Sequence, residues 1–514
     1  MSINKRIAFG AAASWFSRGV TILMGLVLMP VLFRHLPKEE LGVWLLLGQS
    51  WVALGVFEYG IQMAFTRKFA FVVGKAGGFN VQIQGDSARE MADLIAVTKH
   101  IYHWLTFIIF FITWLSGLFY LSHVHAPETG FHSIFIAWTI LCVGNAINVW
   151  SNPWSCLLQG IGYVGWDSII GSIGQVVTLA LQISVVLLGY GVASLAAVTC
   201  ISGLLQRFLL RRLIRRRRPE LFAHVGQWNS KIFHEVLRPA IRATLTSLAG
   251  TLLTNTDQLF IGYAADITEL PAFRAAFLLA VNAQMLAVTL GGVSTVFVSQ
   301  LWQAGKIDEM HHVVLRNLRL GLVLFGGMAA CFLAVGREAV GIWLGPGNFI
   351  GYSIFGVFLL SQALETNSYI ISSASRATND EAFVWSTVIS GLLKVCLAFT
   401  LIHSYGLLGL ALSTPVAQLL TNHWFMVFRG LRRLQISILT YATGVLLPVL
   451  AGFVILFGLL TSVSRAMQHM NHIPMVASTV TIGVVGCLIA IVFFVFNAEE
   501  RTKMIAMILR RRAA

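Results

Sequence analysis

The stretch Ser14–Lys68, SWFSRGVTILMGLVLMPVLFRHLPKEELGVWLLLGQSWVALGVFEYGIQMAFTRK, decides the fold of this chain. It holds two apolar runs joined by a short polar turn, and each run has the roughly 20 residues that a helix needs to cross a bilayer. Each run also carries one full charge near its middle, Arg18 in the first and Glu58 in the second. A charge at that depth costs about 2.5 to 3.5 kcal/mol, so it usually faces a wet cavity or a partner charge. The stretch therefore predicts a membrane protein with a pathway for something polar.

The composition extends this prediction to the whole chain. Of its 514 residues, 57% are hydrophobic and 11% are charged, and the mean hydropathy is +0.78. The predicted fold class is an all-α polytopic membrane protein. Counting roughly 20 residues per crossing predicts about fourteen transmembrane helices. They begin near residues 9, 41, 101, 132, 167, 190, 240, 271, 318, 352, 382, 407, 440 and 474.

The distribution of lysine and arginine predicts the orientation. With a cytoplasmic N-terminus, 28 of the 36 basic residues lie in cytoplasmic segments, and four lie outside: Arg34, Lys38, Arg337 and Arg465. Because positive residues stay on the cytoplasmic side, both termini are predicted to be cytoplasmic. Orientation and attraction to anionic membrane lipids also explain the net charge of +15. No aromatic residues for base stacking are interleaved with the basic run, so nucleic acid is not expected as a partner.

Two segments of the chain resemble each other and predict a repeat. Residues 166–207 and 381–422 each contain a Tyr-Gly pair, at Tyr190 and Tyr405, in a minimal outer turn between two spans. The match sets spans 1 to 6 against spans 7 to 12, as parallel six-helix lobes of a rocking transporter. The predicted domains are an N-lobe at 1–210, a basic cytoplasmic linker at 211–239, a C-lobe at 240–430, and spans 13 and 14 with a basic cytoplasmic tail at 431–514.

Charged side chains inside the spans are the first set of candidate site residues. By depth, Arg18 could meet Glu58, Glu365 could meet Lys394, and Asp257 could meet Arg274. They are either ion pairs that join helices, or cations for an anionic substrate and acids for a coupling ion. The candidates for the anionic head group are Arg18, Arg274 and Lys394, with Arg18 suited to phosphate through its planar guanidinium. The candidates for ion coupling or gating are Glu58, Asp257 and Glu365.

Polar and aromatic side chains in spans 4 and 10 are the second set. They could line a saccharide cavity through amide hydrogen bonds and ring stacking, or could instead join helices and anchor them at the interface. These residues are Asn145, Asn148, Trp150, Asn152, Gln362, Asn367 and Tyr369.

Several motifs of other protein classes are missing from the sequence. All six cysteines lie in apolar spans without ligand spacing, so neither a disulfide nor a metal site is predicted. No GxxxxGK[ST] phosphate loop occurs, so ATP is not the expected local energy source and no cofactor is predicted; coupling to H⁺ or Na⁺, or downstream consumption of the product, is expected to supply direction. The outer segments are short and no DxD motif occurs, which argues against an enzyme.

The opening stretch resembles a known family. The basic residue in span 1, the turn L-P-x-E-E-x-G-x-W at Leu36–Trp44, and E-Y-G in the inner half of span 2 are similar to one branch of the multidrug, oligosaccharidyl-lipid and polysaccharide exporter (MOP) superfamily. That branch is the polysaccharide transporters, the O-antigen and exopolysaccharide repeat-unit flippases.

The resemblance implies a function, a location and partners. It implies a bacterial inner-membrane flippase that moves an undecaprenyl-diphosphate-linked oligosaccharide for surface polysaccharide synthesis, by alternating access of two lobes. It also implies that the diphosphate meets Arg18, and with it Arg274 and Lys394. A polysaccharide polymerase and a chain-length regulator are the implied protein partners, beside membrane lipids.

Three alternatives stay open. A cation-coupled multidrug antiporter of the same superfamily would share the fold and the acids, but needs no cationic cavity. A lipid II flippase would fit the predicted count of fourteen spans, and spans 13 and 14 could then form a groove for a lipid tail. A membrane glycosyltransferase or ligase is the alternative from another class.

Overall fold

The structure is a computed structural model that describes residues 3–76, 84–123, 130–254, 256–303, 305–378, 382–469 and 471–495. Within these ranges the chain is helical and contains no strand, which confirms the all-α class. Eleven stretches of the described residues are long and apolar enough to cross a membrane. The end of the predicted basic tail, after residue 495, lies outside the described residues.

Residues Met1–Pro271 form one compact unit, unit 1. Within it α4 packs against α2, α3 and α6, while α1 lies along α5 and α2 lies along α7. The helices of unit 1 are α1 (Ile3–His35), α2 (Lys38–Lys75), α3 (Asp86–Leu121), α4 (Phe131–Gly160), α5 (Val164–Leu187), α6 (Val192–Arg217), α7 (Ser230–Thr254) and α8 (Asp257–Ala264), with 3₁₀ turns at Pro219–Phe222 and Ile267–Glu269.

Residues of the two motifs in the opening stretch, L-P-x-E-E-x-G-x-W and E-Y-G, have structural roles in unit 1 that follow from close packing. Glu40 accepts a hydrogen bond from the N–H of Val192 at 2.9 Å, which satisfies one free donor at the start of α6. At Gly60, in the E-Y-G sequence, a Cβ atom would lie 2.6 Å from the carbonyl oxygen of Ala240 in α7. Small residues allow this approach of two backbones, on which helix association in lipid depends.

The basic run at the end of α6 is helical and carries aromatic neighbours. Its guanidinium groups lie over rings from α4, α5 and the following 3₁₀ turn: Arg211 over Trp154 at 5.7 Å, Arg215 over Phe222 at 5.4 Å and Arg217 over Trp166 at 5.5 Å. Such cation–π contacts are worth about 0.5 to 1 kcal/mol at exposed sites. Trp154 and Trp166 lie about 50 residues before the basic run, so the sequence did not predict their contacts, whereas Phe222 closely follows the run.

A second charged contact joins α2 to α7 on the cytoplasmic side, outside the spans. Lys68 Nζ donates a hydrogen bond to Glu235 Oε2. This bond lowers the pKa of the Glu235 carboxyl. The pair ties the inner end of α2 to the start of α7.

Residues Ala272–Ala514 form the second compact unit, unit 2. Within it α10 packs against α11, α15 and α16, and α11 packs against α13. The helices of unit 2 are α9 (Leu270–Gln303), α10 (Ile307–Leu344), α11 (Tyr352–Arg376), α12 (Val384–Ala417), α13 (His423–Arg433), α14 (Ile438–Tyr441), α15 (Leu447–Ala466) and α16 (His472–Phe494), with π-helical segments at Gln418–Asn422 and Ala442–Leu446.

Both predicted Tyr-Gly turns are breaks between helical passes. In unit 1, α5 ends at Leu187 and α6 begins at Val192. In unit 2, Gly406 has φ 56° and ψ −141° inside α12, a left-handed conformation that glycine adopts without steric cost. The 50-residue apolar stretch Val384–Arg433 therefore contains this break. The count of fourteen crossings stays a prediction.

The boundary between the two units lies after the predicted basic linker. Unit 1 continues to Pro271, because α7 lies along α2. The four predicted domains were drawn from internal similarity rather than from contacts, and that division stays a prediction.

Candidate functional site

Glu58 lies in the inner half of α2 and is buried within unit 1. The Nδ2 group of Asn152 in α4 donates a hydrogen bond to its Oε1 atom. This contact joins two predicted site residues from different sets, one proposed for ion coupling and one for saccharide binding. A buried acid with a neutral partner keeps the option of binding a cation or a proton.

Arg18 lies on α1 and its side chain is exposed. Because α1 lies along α5, Arg18 and Glu58 do not form the ion pair that their similar depth suggested. Its neighbour one turn on, Thr21, donates a hydrogen bond to Gln175 of α5 at 2.9 Å. Arg18 therefore stands beside a polar contact, with its guanidinium accessible.

The other α4 candidates differ in accessibility. Asn145 is buried, and Asn148 packs against Gly203 of α6. Trp150 is 40% exposed, and the guanidinium of Arg207 lies 3.1 Å from the centre of its ring. Arg207 also donates a hydrogen bond to the carbonyl oxygen of Trp150. Of these three candidates, Trp150 is the most exposed, although Arg207 covers one face of its ring.

The sequence missed a polar cluster between α4 and α5. Asp167 accepts hydrogen bonds from Ser155 at 2.8 Å and from Gln159 at 2.7 Å. Asp167 sits at the predicted start of span 5, so it was not counted among charges at membrane depth. Ser155 and Gln159 are four residues apart, so they lie on the same face of α4, and this spacing was the feature of the sequence that could have indicated a polar cluster.

In unit 2, Glu365 of α11 accepts a hydrogen bond from Gln418 Nε2 at 2.9 Å. Gln418 begins the π-helical segment after α12, a geometry that is frequent at functional sites. Lys394 is fully buried in α12. Gln418, which the sequence did not single out, is thus the hydrogen-bond partner of a predicted coupling residue.

The remaining charged candidates lie near the outer ends of helices. Asp257 is the first residue of α8 in unit 1 and is buried. Arg274 lies in the first turn of α9 in unit 2, with its guanidinium 5.5 Å from the ring centre of Phe277. The pairing of these two residues stays a prediction.

The α11 candidates for saccharide binding, like those of α4, differ in how exposed their side chains are. Gln362 is buried, and Asn367 accepts a hydrogen bond from the hydroxyl of Tyr441 at 2.7 Å. Tyr369 is 38% exposed. Asn367 therefore joins α11 to α14, whereas Tyr369 presents its ring to the surroundings. The roles assigned to all these residues remain predictions.

An apolar groove of about 300 Å³ lies between α10 and α16 in unit 2. Its described walls are apolar or weakly polar side chains, among them Met328, Phe332, Val484 and Leu488. α10 departs from helical geometry at Val335, which also lines the groove. A groove of this kind suits a hydrocarbon chain.

Gly327 in α10 sets how closely the two walls of this groove approach. A Cβ atom there would lie 2.9 Å from Cys487 Sγ and 3.1 Å from its Cβ, whereas at Gly326 the nearest atom, in Phe453, is 3.7 Å away. We expect Gly327→Ala to destabilise the protein by about 1 to 3 kcal/mol through overpacking. Gly326→Ala should be neutral or stabilising by about 0.5 to 1 kcal/mol, because alanine favours the helix. Thermal unfolding midpoints of the two purified variants test this, and equal midpoints would contradict the packing described.

Comparison with known proteins gives one family match. Residues 168–347 match the family model described as a polysaccharide biosynthesis protein. A search of curated proteins found no match.

Three solved structures are similar in fold. The lipid II flippase MurJ, in an inward closed conformation, matches over 94% of this chain and 98% of its own, with a TM-score of 0.68 and 14% sequence identity. An inward-facing multidrug resistance MATE family transporter of the MOP superfamily matches over 80% of this chain and 94% of its own, with a TM-score of 0.62 and 14% identity. A MOP superfamily transporter from Pyrococcus furiosus matches over 85% of this chain and 96% of its own, with a TM-score of 0.52 and 14% identity.

The chain is therefore a multi-pass membrane protein whose fold is similar to the fold of MOP superfamily transporters. The match to a polysaccharide biosynthesis family over residues 168–347, together with this fold, agrees with the predicted resemblance to the polysaccharide transporters, and the eleven apolar helical stretches agree with a location in a membrane. The matched structures are transporters and flippases rather than enzymes.

Proposed function

We propose that the chain is a flippase for an undecaprenyl-diphosphate-linked oligosaccharide repeat unit in surface polysaccharide synthesis, O-antigen or exopolysaccharide. One observation carries the proposal: a match to a polysaccharide biosynthesis family lies on a fold that is similar to a lipid II flippase over 94% of the chain. Both point to a saccharide joined to a lipid carrier. Alternating access of two lobes is the proposed mechanism.

The residues described above supply what such a substrate requires. An exposed arginine on α1, Arg18, suits a diphosphate, since a guanidinium can bind two phosphate oxygens at once. The apolar groove between α10 and α16 suits the isoprenoid tail. The partly exposed ring of Tyr369, and the face of Trp150 that Arg207 does not cover, suit stacking on sugars.

Direction requires an energy source, because a flippase without one only equilibrates the two leaflets. Intramembrane acids are functional candidates by default. We assign H⁺ or Na⁺ coupling to Glu58, Asp257 and Glu365. A polymerase and a chain-length regulator that consume the flipped repeat unit are the proposed partners.

Two other functions of the superfamily are favoured by specific observations. The similarity to MurJ favours lipid II as the substrate, and the similarity to MATE transporters favours export of drugs. Both would use the same fold, and they differ from the proposal in the head group that is moved.

Transport by the purified protein in liposomes distinguishes the proposed function from the two alternatives, lipid II flippase and drug exporter. Three vesicle preparations should contain a fluorescent lipid-linked oligosaccharide, lipid II, or a cationic dye. We expect the lipid-linked oligosaccharide to become accessible to an external glycosidase much faster than in protein-free vesicles, with little movement of lipid II or dye. Preferential movement of lipid II, or of dye alone, would replace the proposal with the corresponding alternative.

A further inference from the structure

A cluster of basic residues, none of them among the predicted intramembrane charges, lies in unit 2. A cavity of about 750 Å³ opens between the end of α9 and the exposed face of α13. None of the described residues that line it is acidic, and the basic-residue distribution puts it on the cytoplasmic side. It is lined by three arginines and three aromatic residues: Arg429, Arg432, Arg433, Trp302, Phe425 and Phe428.

The sequence of α13 has two faces that explain the position of this cavity. Met426, Val427 and Leu431 are buried against the helices of unit 2. On the other face Phe425 is 41% exposed and Phe428 is 48% exposed, beside exposed arginines. Aromatic rings next to basic residues are typical of the level at which lipid head groups lie.

Arg433 is held in a fixed position in the cavity wall. Its Nε donates to Thr378 Oγ1 at 2.9 Å, and its Nη2 donates to the Thr378 carbonyl oxygen at 2.7 Å. The guanidinium also lies 4.8 Å from the ring centre of Trp302. A guanidinium has five N–H donors, so these two bonds leave others for an anion.

The end of α13 is also fixed, which reduces the cost of binding. Gln435 has φ 58°, and its N–H donates to the Arg432 carbonyl oxygen at 3.2 Å. The N–H of Ile436 donates to the Leu431 carbonyl oxygen at 3.0 Å. Together these two bonds and the left-handed conformation of Gln435 form a Schellman cap at the end of α13. Side chains on a preorganised helix end lose less freedom when a ligand binds.

The related position in unit 1 has a different environment. The register that aligns Tyr190 with Tyr405 also aligns Arg217 and Arg218 with Arg432 and Arg433. Arg218 forms an ion pair with Glu220, which neutralises it. Arg433 is held instead by the uncharged Thr378 and keeps its charge for a ligand.

We propose that this cavity binds the diphosphate of the lipid-linked substrate at the cytoplasmic boundary, before the substrate enters the transport pathway. Arginine forks bind phosphate oxygens in pairs, and the aromatic walls suit the first isoprene units. The volume falls within the roughly 300 to 1,000 Å³ typical of ligand pockets. This inference rests on the proposed function for the identity of the substrate. An anionic phospholipid carries related chemistry, so the experiment must separate the two sources.

The test is a calorimetric titration: farnesyl diphosphate is added to the full-length purified protein in detergent, and the heat of binding is measured. We expect Arg429→Ala/Arg432→Ala to weaken binding by about tenfold or more, as expected for the loss of charge-assisted bonds to phosphate. Arg432→Ala alone, at an exposed position, should give part of this loss and guards against misfolding of the double variant. A matched control, Arg212→Ala/Arg216→Ala, removes the same charge from exposed positions of α6 and should bind as the wild type does.

Competition identifies the source of the phosphate. Phosphatidylglycerol in the same detergent should displace farnesyl diphosphate only weakly, because it carries one phosphate diester. Equal displacement, or binding that the Arg432 variants leave unchanged, would overturn the proposal.

Transport in liposomes distinguishes this proposal from the proposed function. If the double variant loses binding but flips the lipid-linked oligosaccharide at the wild-type rate, the site does not load substrate and the inference fails alone. If the wild type binds farnesyl diphosphate through these arginines but moves no lipid-linked oligosaccharide, the proposed function fails and the site stands.

Discussion

Replacing Arg18 with alanine is expected to slow movement of the lipid-linked oligosaccharide by about tenfold or more, because a hydrogen bond to a charged group contributes about 1.5 to 3 kcal/mol. The side chain is exposed on α1, so its removal should leave expression and the unfolding midpoint unchanged. The measurement is the rate at which the glycan becomes accessible to external glycosidase in liposomes that contain the variant.

Arg34→Ala is the matched control for this prediction. Arg34 is exposed on the same helix but lies at its outer end, so the same charge is removed away from membrane depth. Arg18→Lys should have an intermediate rate, since lysine keeps the charge but not the planar fork. A wild-type rate for Arg18→Ala would remove this residue from the pathway.

Replacing Glu58 with glutamine is expected to abolish transport driven by an ion gradient. The amide oxygen of glutamine can still accept the hydrogen bond from Asn152, so the contact between α2 and α4 should survive. The acid, however, is lost, and with it the group proposed to bind a proton or Na⁺. Accumulation of flipped substrate under an imposed gradient should fall to the level of simple equilibration.

Glu58→Ala separates the structural from the functional contribution of this carboxylate. It leaves the half-buried Asn152 amide without this acceptor, a loss of about 1 kcal/mol, so this variant should also unfold at a lower temperature. Glu90→Gln, which removes an acid that pairs with Lys75 at 3.0 Å on the cytoplasmic side, is the control for charge. Gradient-driven transport that Glu58→Gln leaves intact would show that Glu58 only joins helices.

The sequence was sufficient for the class of fold and for the places where helices turn. Apolar runs of sufficient length have few other structures in a membrane, and the Tyr-Gly pairs at Tyr190 and Tyr405 both proved to be breaks. Of the two glycines, Gly406 has a positive φ of 56° that other residues avoid, whereas Gly191 has an ordinary φ of −83°.

The partners of the site residues could not be obtained in the same way. Counting residues gives the depth of a side chain, but not the side of the helix that faces each neighbour. Arg18 and Glu58 have similar depths, yet α1 lies along α5 while Glu58 contacts Asn152 of α4. Partners such as Gln418 for Glu365 and Tyr441 for Asn367 depend on packing between distant segments.

The π-helical segment Gln418–Asn422 directly precedes α13 and determines which face of α13 is turned toward the rest of unit 2. A π turn accommodates an additional residue in an α-helix, and each residue of an α-helix advances the chain by about 100°. Deleting one residue there, for example Thr421, would rotate α13 by that angle and move Phe428 and Arg432 into the positions that the buried Val427 and Leu431 now hold. A single-residue deletion before α13 would therefore change which of its side chains are exposed, without replacing any of them.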